Sequence, residues 1–274
     1  MQHRGPTGER SARPVRGIGT LVACLVLGSG CAGGGAEKRD AAAAAAARDR
    51  TEARTAEPAL LAQLLASLGE DPAEAIRGAF DRTDADRRQA SLREVAASRY
   101  GDRPAMLPLY RLLLTDPDAS VRAAAVSALA RHGAAGDAAR VAEQLRSDDA
   151  FLRWEAAKAL RHLPGEAAVA PLLDRLLNDE DAGTRVAAAE ALARYPRRDA
   201  FEALRAALVD ADYAVVAAAA GSLETLTGRS LGTAPEAWGE LSAERGDALF
   251  ADARPYEPRV YREPPGFFGR LLGR

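Results

Sequence analysis

Residues that usually carry chemistry are scarce in this chain. Its 274 residues include two cysteines, Cys24 and Cys31, both in the first stretch, so the long remainder has no disulfide and no thiolate metal site. Only three histidines occur, and none is followed by glutamate. A histidine–carboxylate metal centre is therefore not expected, and His132 and His162 read as helix-end residues in favourable contact with the helix dipole. Aromatics make up 5% of the chain, too few for one large aromatic core. A formal net charge of −2 gives no global reason to expect nucleic acid or an anionic surface as partner. No apolar run is long enough to span a bilayer comfortably; Gly17 to Gly30 falls short.

Alanine is plentiful, and so is repetition. The stretch Asp118 to Leu129 (DASVRAAAVSAL) returns as Asp149 to Leu160, Asp181 to Leu192 and Asp212 to Leu223, and a weaker copy spans Asp84 to Val95. Equivalent arginines stand at 88, 122, 153 and 185, a spacing of 31 to 34 residues. A period of this size marks a solenoid, in which each unit buries its apolar face only against its neighbours. Every unit pairs two helical patterns. The first helices are predicted at Asp71–Phe80, Pro104–Leu114, Ala135–Leu145, Glu166–Leu177 and Arg198–Val209. An Asp-rich turn follows each, its carboxylates placed to accept from the free N–H groups of the second helix. In that second helix Val121, Ala125, Ala128 and Leu129 share one face.

The pattern Asp-x-x-Val-Arg-x-x-Ala-x-x-Ala-Leu resembles the second helix of HEAT repeats, in a short form common in bacteria. The resemblance covers about residues 71–226. It implies an all-α fold, a right-handed α-solenoid of about five helical hairpins with N- and C-terminal capping helices, spanning residues 58–250. It also implies that Arg88, Arg122, Arg153 and Arg185, with Asp118, Asp149, Asp181 and Asp212, form a structural ladder between repeats. Val216 ends the arginine series, as suits a terminal unit. The second helices are then expected to line a concave face. Its candidate positions include Arg93; Ala123, Ala124 and Ser127; Trp154, Glu155 and Lys158; and Ala187 and Glu190. Trp154 is an aromatic where the other copies carry Ala, Val or Gln. Either it anchors a partner or it leans on the adjacent repeat. Trp238 is expected to seal the last repeat, and Thr233 with Glu236 has capping-box spacing for the final helix.

The flanks read differently. Arg4, Arg10, Arg13 and Arg16 precede the apolar stretch, an arrangement expected of a signal peptide over residues 1–30. Leu27-Gly-Ser-Gly-Cys31 resembles a bacterial lipobox, which implies lipidation of Cys31; Cys24, behind Leu21-Val-Ala, is the alternative. Residues 31–57 read as a tether, and Ala32 after the cysteine points by the same resemblance to the outer membrane. Beyond residue 250 the chain turns Pro-rich and ends in Gly266-Phe-Phe-Gly-Arg-Leu-Leu-Gly-Arg274. That end is a docking peptide, a membrane-surface contact or a solvated terminus.

The expected function is a non-enzymatic scaffold: an exported, lipid-anchored protein that binds a protein or peptide partner in the cell envelope, with no cofactor and no nucleic acid. Two other classes use the same repeats, HEAT-type enzymes of lyase or hydroxylase kind and HEAT-like nucleic-acid binders. The export signal and the missing His-Glu motif count against them.

Overall fold

An aspartate opens every second helix. Asp84, Asp118, Asp149, Asp181 and Asp212 keep extended backbone, and each carboxylate accepts an N–H from the first turn: from Arg87, from Ser120 and Val121, from Leu152, from Thr184 and from Ala214. Losing such a cap costs about 1 kcal/mol, so five of them fix where these helices begin. The computed structural model describes residues 57–66 and 72–253. The signal segment, Cys24, Cys31, most of the tether and the Pro-rich tail lie outside the described residues.

The second helices are α3 (Ala85–Ala97), α5 (Ala119–His132), α7 (Ala150–Leu160), α9 (Ala182–Leu192) and α11 (Tyr213–Thr227). Each is preceded by a first helix: α2 (Ala73–Ala79), α4 (Leu107–Leu113), α6 (Ala138–Glu143), α8 (Glu166–Asn178) and α10 (Arg198–Ala206). A helical segment over 57–66, α1, leads the array, and α12 (Pro235–Arg245) closes it. Short 3₁₀ turns extend three of the first helices: Pro104–Met106 before α4, Ala135–Asp137 before and Gln144–Arg146 after α6, and Ala207–Val209 after α10. With those turns included, the observed first helices follow the predicted boundaries closely. Among the described residues there is no strand, and no helix is long and apolar enough to cross a membrane.

Five hairpins stack in one direction. Each first helix packs on its own second helix, and the second helices run on from α3 to α5, α7, α9 and α11. In the other layer α6, α8, α10 and α12 follow one another. The arrangement is an α-solenoid of two helical layers. A single apolar cluster runs through it from Leu64 to Leu249. The second-helix layer contributes mostly alanine to that core: Ala124, Ala125 and Ala128; Ala156, Ala157 and Ala159; Ala187, Ala188 and Ala191. Alanine has the highest helix propensity and no side-chain entropy to lose, so it suits a layer whose helices touch on several sides. The bulk comes from the first helices, with Tyr110, Leu109, Leu172 and Phe201 fully buried. This packing corrects part of the expected partner-facing set. Ala123, Ala124 and Ala187 are buried against adjacent helices rather than presented outward.

The closing helix depends on Trp238. Its side chain is completely buried, and Nε1 donates to the Gly232 carbonyl at 2.9 Å. The expected capping box does not form: Ala234 is the N-cap and Pro235 begins the helix. Proline has no N–H and a fixed φ that suits the first helical position, so it moves the N-cap one residue beyond Thr233.

Candidate functional site

Four arginines face the turns between repeats, and three make the same contact. Arg88 holds Asp116 with two bonds of 2.8 Å. Arg153 holds Asp179 at 2.8 and 3.0 Å, and Arg185 holds Asp210 with two bonds of 2.8 Å. Each contact joins one repeat to the next. Nη1 of the same guanidinium turns back onto carbonyls of its own repeat: Asp81 for Arg88, Ser147 and Asp148 for Arg153, Asp179 and Glu180 for Arg185. Each rung carboxylate also accepts the N–H two residues on, from Asp118, Asp181 or Asp212.

The carboxylates in these rungs are not the expected ones. Asp118, Asp149, Asp181 and Asp212 cap their own helices, and the rungs are made by the aspartates two residues earlier. The electrostatics follow the forks. The Arg185 fork holds Asp210 below the usual carboxylate range. Burial alone would raise Asp179, but hydrogen bonds from Arg153 and the Asp181 N–H outweigh it, so its carboxyl too lies low. The arginines Arg88, Arg153 and Arg185 are pushed up, first by the bond to their aspartate.

The junction of the second and third repeats is built otherwise. Ser147 occupies the rung position there, and among the described residues Arg122 keeps only its Nη1 bonds to the Asp116 and Pro117 carbonyls, at 2.8 and 3.0 Å. Cohesion moves to the first-helix layer. Arg111 of α4 grips the fully buried Asp137 at 2.6 and 3.0 Å, and Gln144 Nε2 donates to the Leu114 carbonyl at 3.3 Å.

The outward surface of the second-helix layer is most distinctive on α7. Trp154 is half-buried. Lys158 Nζ lies 4.5 Å from its ring centroid, and Phe151, 48% exposed, lies 5.7 Å away on the preceding turn. Glu155 pairs with Lys158 at 3.5 Å. The indole also reaches the next repeat: a Cβ added at Gly183 would sit 3.5 Å from Trp154 Cδ1, an ordinary contact. Gln89, at the same slot two repeats earlier, likewise reaches the following repeat at the Ser120 carbonyl. The slot therefore leans across a junction, and Trp154 does so while keeping part of its ring open. Trp154, Glu155 and Lys158 form one cluster. Glu190, one repeat on, pairs back to Arg161 beyond the end of α7. Arg93 stands apart, with Arg131 and Ser127 on a shallow groove between α3 and α5 floored by Ala96, Ala97, Ala124 and Ala128.

Comparison with protein families agrees with this geometry. A family model described as HEAT repeats matches residues 169–237, from α8 into α12. A second, described as HEAT repeat, matches residues 106–131, the second hairpin. The chain is a HEAT-repeat protein. No curated protein matches it.

Within this HEAT array His132 serves cohesion. His132 Nε2 bonds the Ala96 carbonyl of the preceding repeat at 2.8 Å, and its ring stacks on Tyr110. At His162 burial and the nearby Arg161, Arg194 and Lys158 push the pKa down, against the charged form that the helix-end reading favours. Among the described residues no three His, Cys, Asp or Glu side chains converge as a metal centre. Sequence reasoning missed Phe151, Asp116, Asp179, Asp210 and the Arg111–Asp137 pair. Phe151 was open to discovery, three residues before Trp154 on a helix. Arg111 and Asp137 have no periodic counterparts, so nothing in the repeat pattern marks them.

Proposed function

We propose that this HEAT-repeat protein is a non-enzymatic scaffold, exported and held at a membrane by lipid on Cys31, that presents its second-helix surface to a protein partner in the cell envelope. The observation that carries the binding surface is the Phe151–Trp154–Lys158 cluster. It places a partly open indole, a side-chain type enriched in recognition hot spots, beside a cation and an exposed phenyl ring on one helix. The use made of the ionisable groups supports a holding role. The enclosed carboxylates Asp116, Asp137, Asp179 and Asp210 are engaged in arginine forks that bind repeat to repeat. HEAT arrays are generally interaction modules rather than catalysts. The membrane part rests on the Leu27-Gly-Ser-Gly-Cys31 segment and the basic, apolar stretch before it.

Crosslinking and pull-down from intact envelopes, comparing wild type with Trp154→Ala, tests the surface. Loss of the wild-type partners in the variant is expected, and an unchanged set would remove Trp154 as the anchor. Metabolic palmitate labelling with a Cys31→Ala control tests the anchor. Label in the wild type and none in the variant is expected; label retained in the variant would move the site to Cys24.

A further inference from the structure

The rung pattern has one exception, and it leaves a half-buried guanidinium without a carboxylate among the described residues. At three junctions a guanidinium is pinned to its own turn through Nη1 and offers Nε and Nη2 side by side to a carboxylate of the next repeat. Arg122 is pinned in the same way, by two carbonyls, but its Nε and Nη2 bond no group among the described residues. Ser147 stands where Asp116, Asp179 and Asp210 stand elsewhere; its Oγ accepts the Asp149 N–H at 3.1 Å and holds the local turn. Asp148, the counterpart of the Glu180 that Arg153 also touches, makes no ion pair with Arg122. The junction does not need this rung for cohesion, since the Arg111–Asp137 fork ties the same two repeats in the other layer. A fork already fixed in direction loses little freedom on binding, and two parallel N–H groups match a carboxylate better than any other common acceptor.

We propose that Arg122, at the junction of the second and third repeats, is a docking point for a carboxylate on a partner chain, an Asp or Glu side chain entering the position that Asp116, Asp179 and Asp210 occupy at the other junctions. This deepens the scaffold reading and rests on it for the identity of the occupant as protein. Acidic neighbours do not forbid the site. Asp148 and Asp149 flank Ser147 as Glu180 and Asp181 flank Asp179, and Asp179 is held there by its fork. They do favour a single carboxylate among neutral residues over an acidic run.

The test follows the arginine Nε–H resonances of the full chain by NMR. Three probes are added separately: an end-blocked tripeptide with a central glutamate, its glutamine counterpart, and acetate. The Arg122 signal should shift saturably with the glutamate peptide, hardly with the glutamine one, and more weakly with acetate. Ser147→Asp should supply the missing carboxylate from within: it should raise Tm above that of Ser147→Asn, lose the gain in an Arg122→Lys background, and weaken peptide binding at least tenfold. An unmoved Arg122 signal, or an equal shift in Ser147→Asp, would overturn the proposal. Acetate binding as tightly as the peptide would overturn the partner-chain occupant. A peptide shift that persists while envelope pull-downs recover no partner would sink the scaffold reading and leave the site standing.

Discussion

Asp179 is the most enclosed of the rung carboxylates, its side chain fully buried against Arg153, itself 6% exposed. Taking one partner from such a pair leaves a buried charge without compensation, at a cost of about 3–5 kcal/mol. Asp179→Asn should therefore lower stability by about that amount in urea unfolding. Arg82→Ala, which removes a pair with Glu57 that is 73% exposed on the arginine side, should stay within about 1 kcal/mol. The same chemistry sets the pH response. Asp137, Asp179 and Asp210 all have carboxyls held below their ordinary range, mainly by arginine forks working against burial. A depressed folded pKa contributes stability that is complete above the unfolded value, about 3.9, and is lost as pH falls through the folded value. Tm should hold steady from pH 7 to about 5 and drop below about 4. Asp179→Asn should flatten that acid limb, and a decline beginning well above pH 5 would contradict this account.

The closing helix makes a separate case at the scale of an element. Helix α12 has no side-chain cap, and it is held through Trp238 and its packing on α10. Replacing a fully buried tryptophan by alanine costs about 3–5 kcal/mol. Trp238→Ala should show this loss together with early hydrogen exchange in α12. Trp238→Phe should cost less, since much of the volume stays while the bond to Gly232 goes. The preceding turn is equally specific. Gly228 has φ +70, and a Cβ there would lie 2.2 Å from the Asp252 carbonyl oxygen. Gly228→Ala should destabilise by at least about 1 kcal/mol on backbone grounds alone, read from the same urea curves. The tryptophan was singled out in the sequence as a seal, whereas the demand on Gly228 shows only once the Asp252 backbone packs against it. The wrongly placed cap at Thr233 shows the limit of spacing rules: a neighbouring proline settled the start instead.

Across the whole molecule, each repeat meets only those beside it, so disturbances should stay local. Asp116→Asn and Asp210→Asn affect rungs that share no partner, and the double variant should lose the sum of the single losses within about 0.5 kcal/mol. A much larger discrepancy in urea unfolding would mean the array responds as one body. The hairpin stack was legible in the sequence because its information is local and repeated: a capping aspartate, an apolar face and a period, which between them specify what each unit buries and against which neighbour. The ladder was legible only in half. Asp116 and Asp118 lie in the same turn, and their counterparts at 179 and 181, and at 210 and 212, recur at the same intervals, so periodicity cannot say which one an arginine reaches. The offset between stacked hairpins decides that, and it is a property of packing. The same offset gives Ser147 its meaning, because a serine in a polar turn becomes a missing partner only once Arg122 is seen pinned to its own turn as the other ladder arginines are.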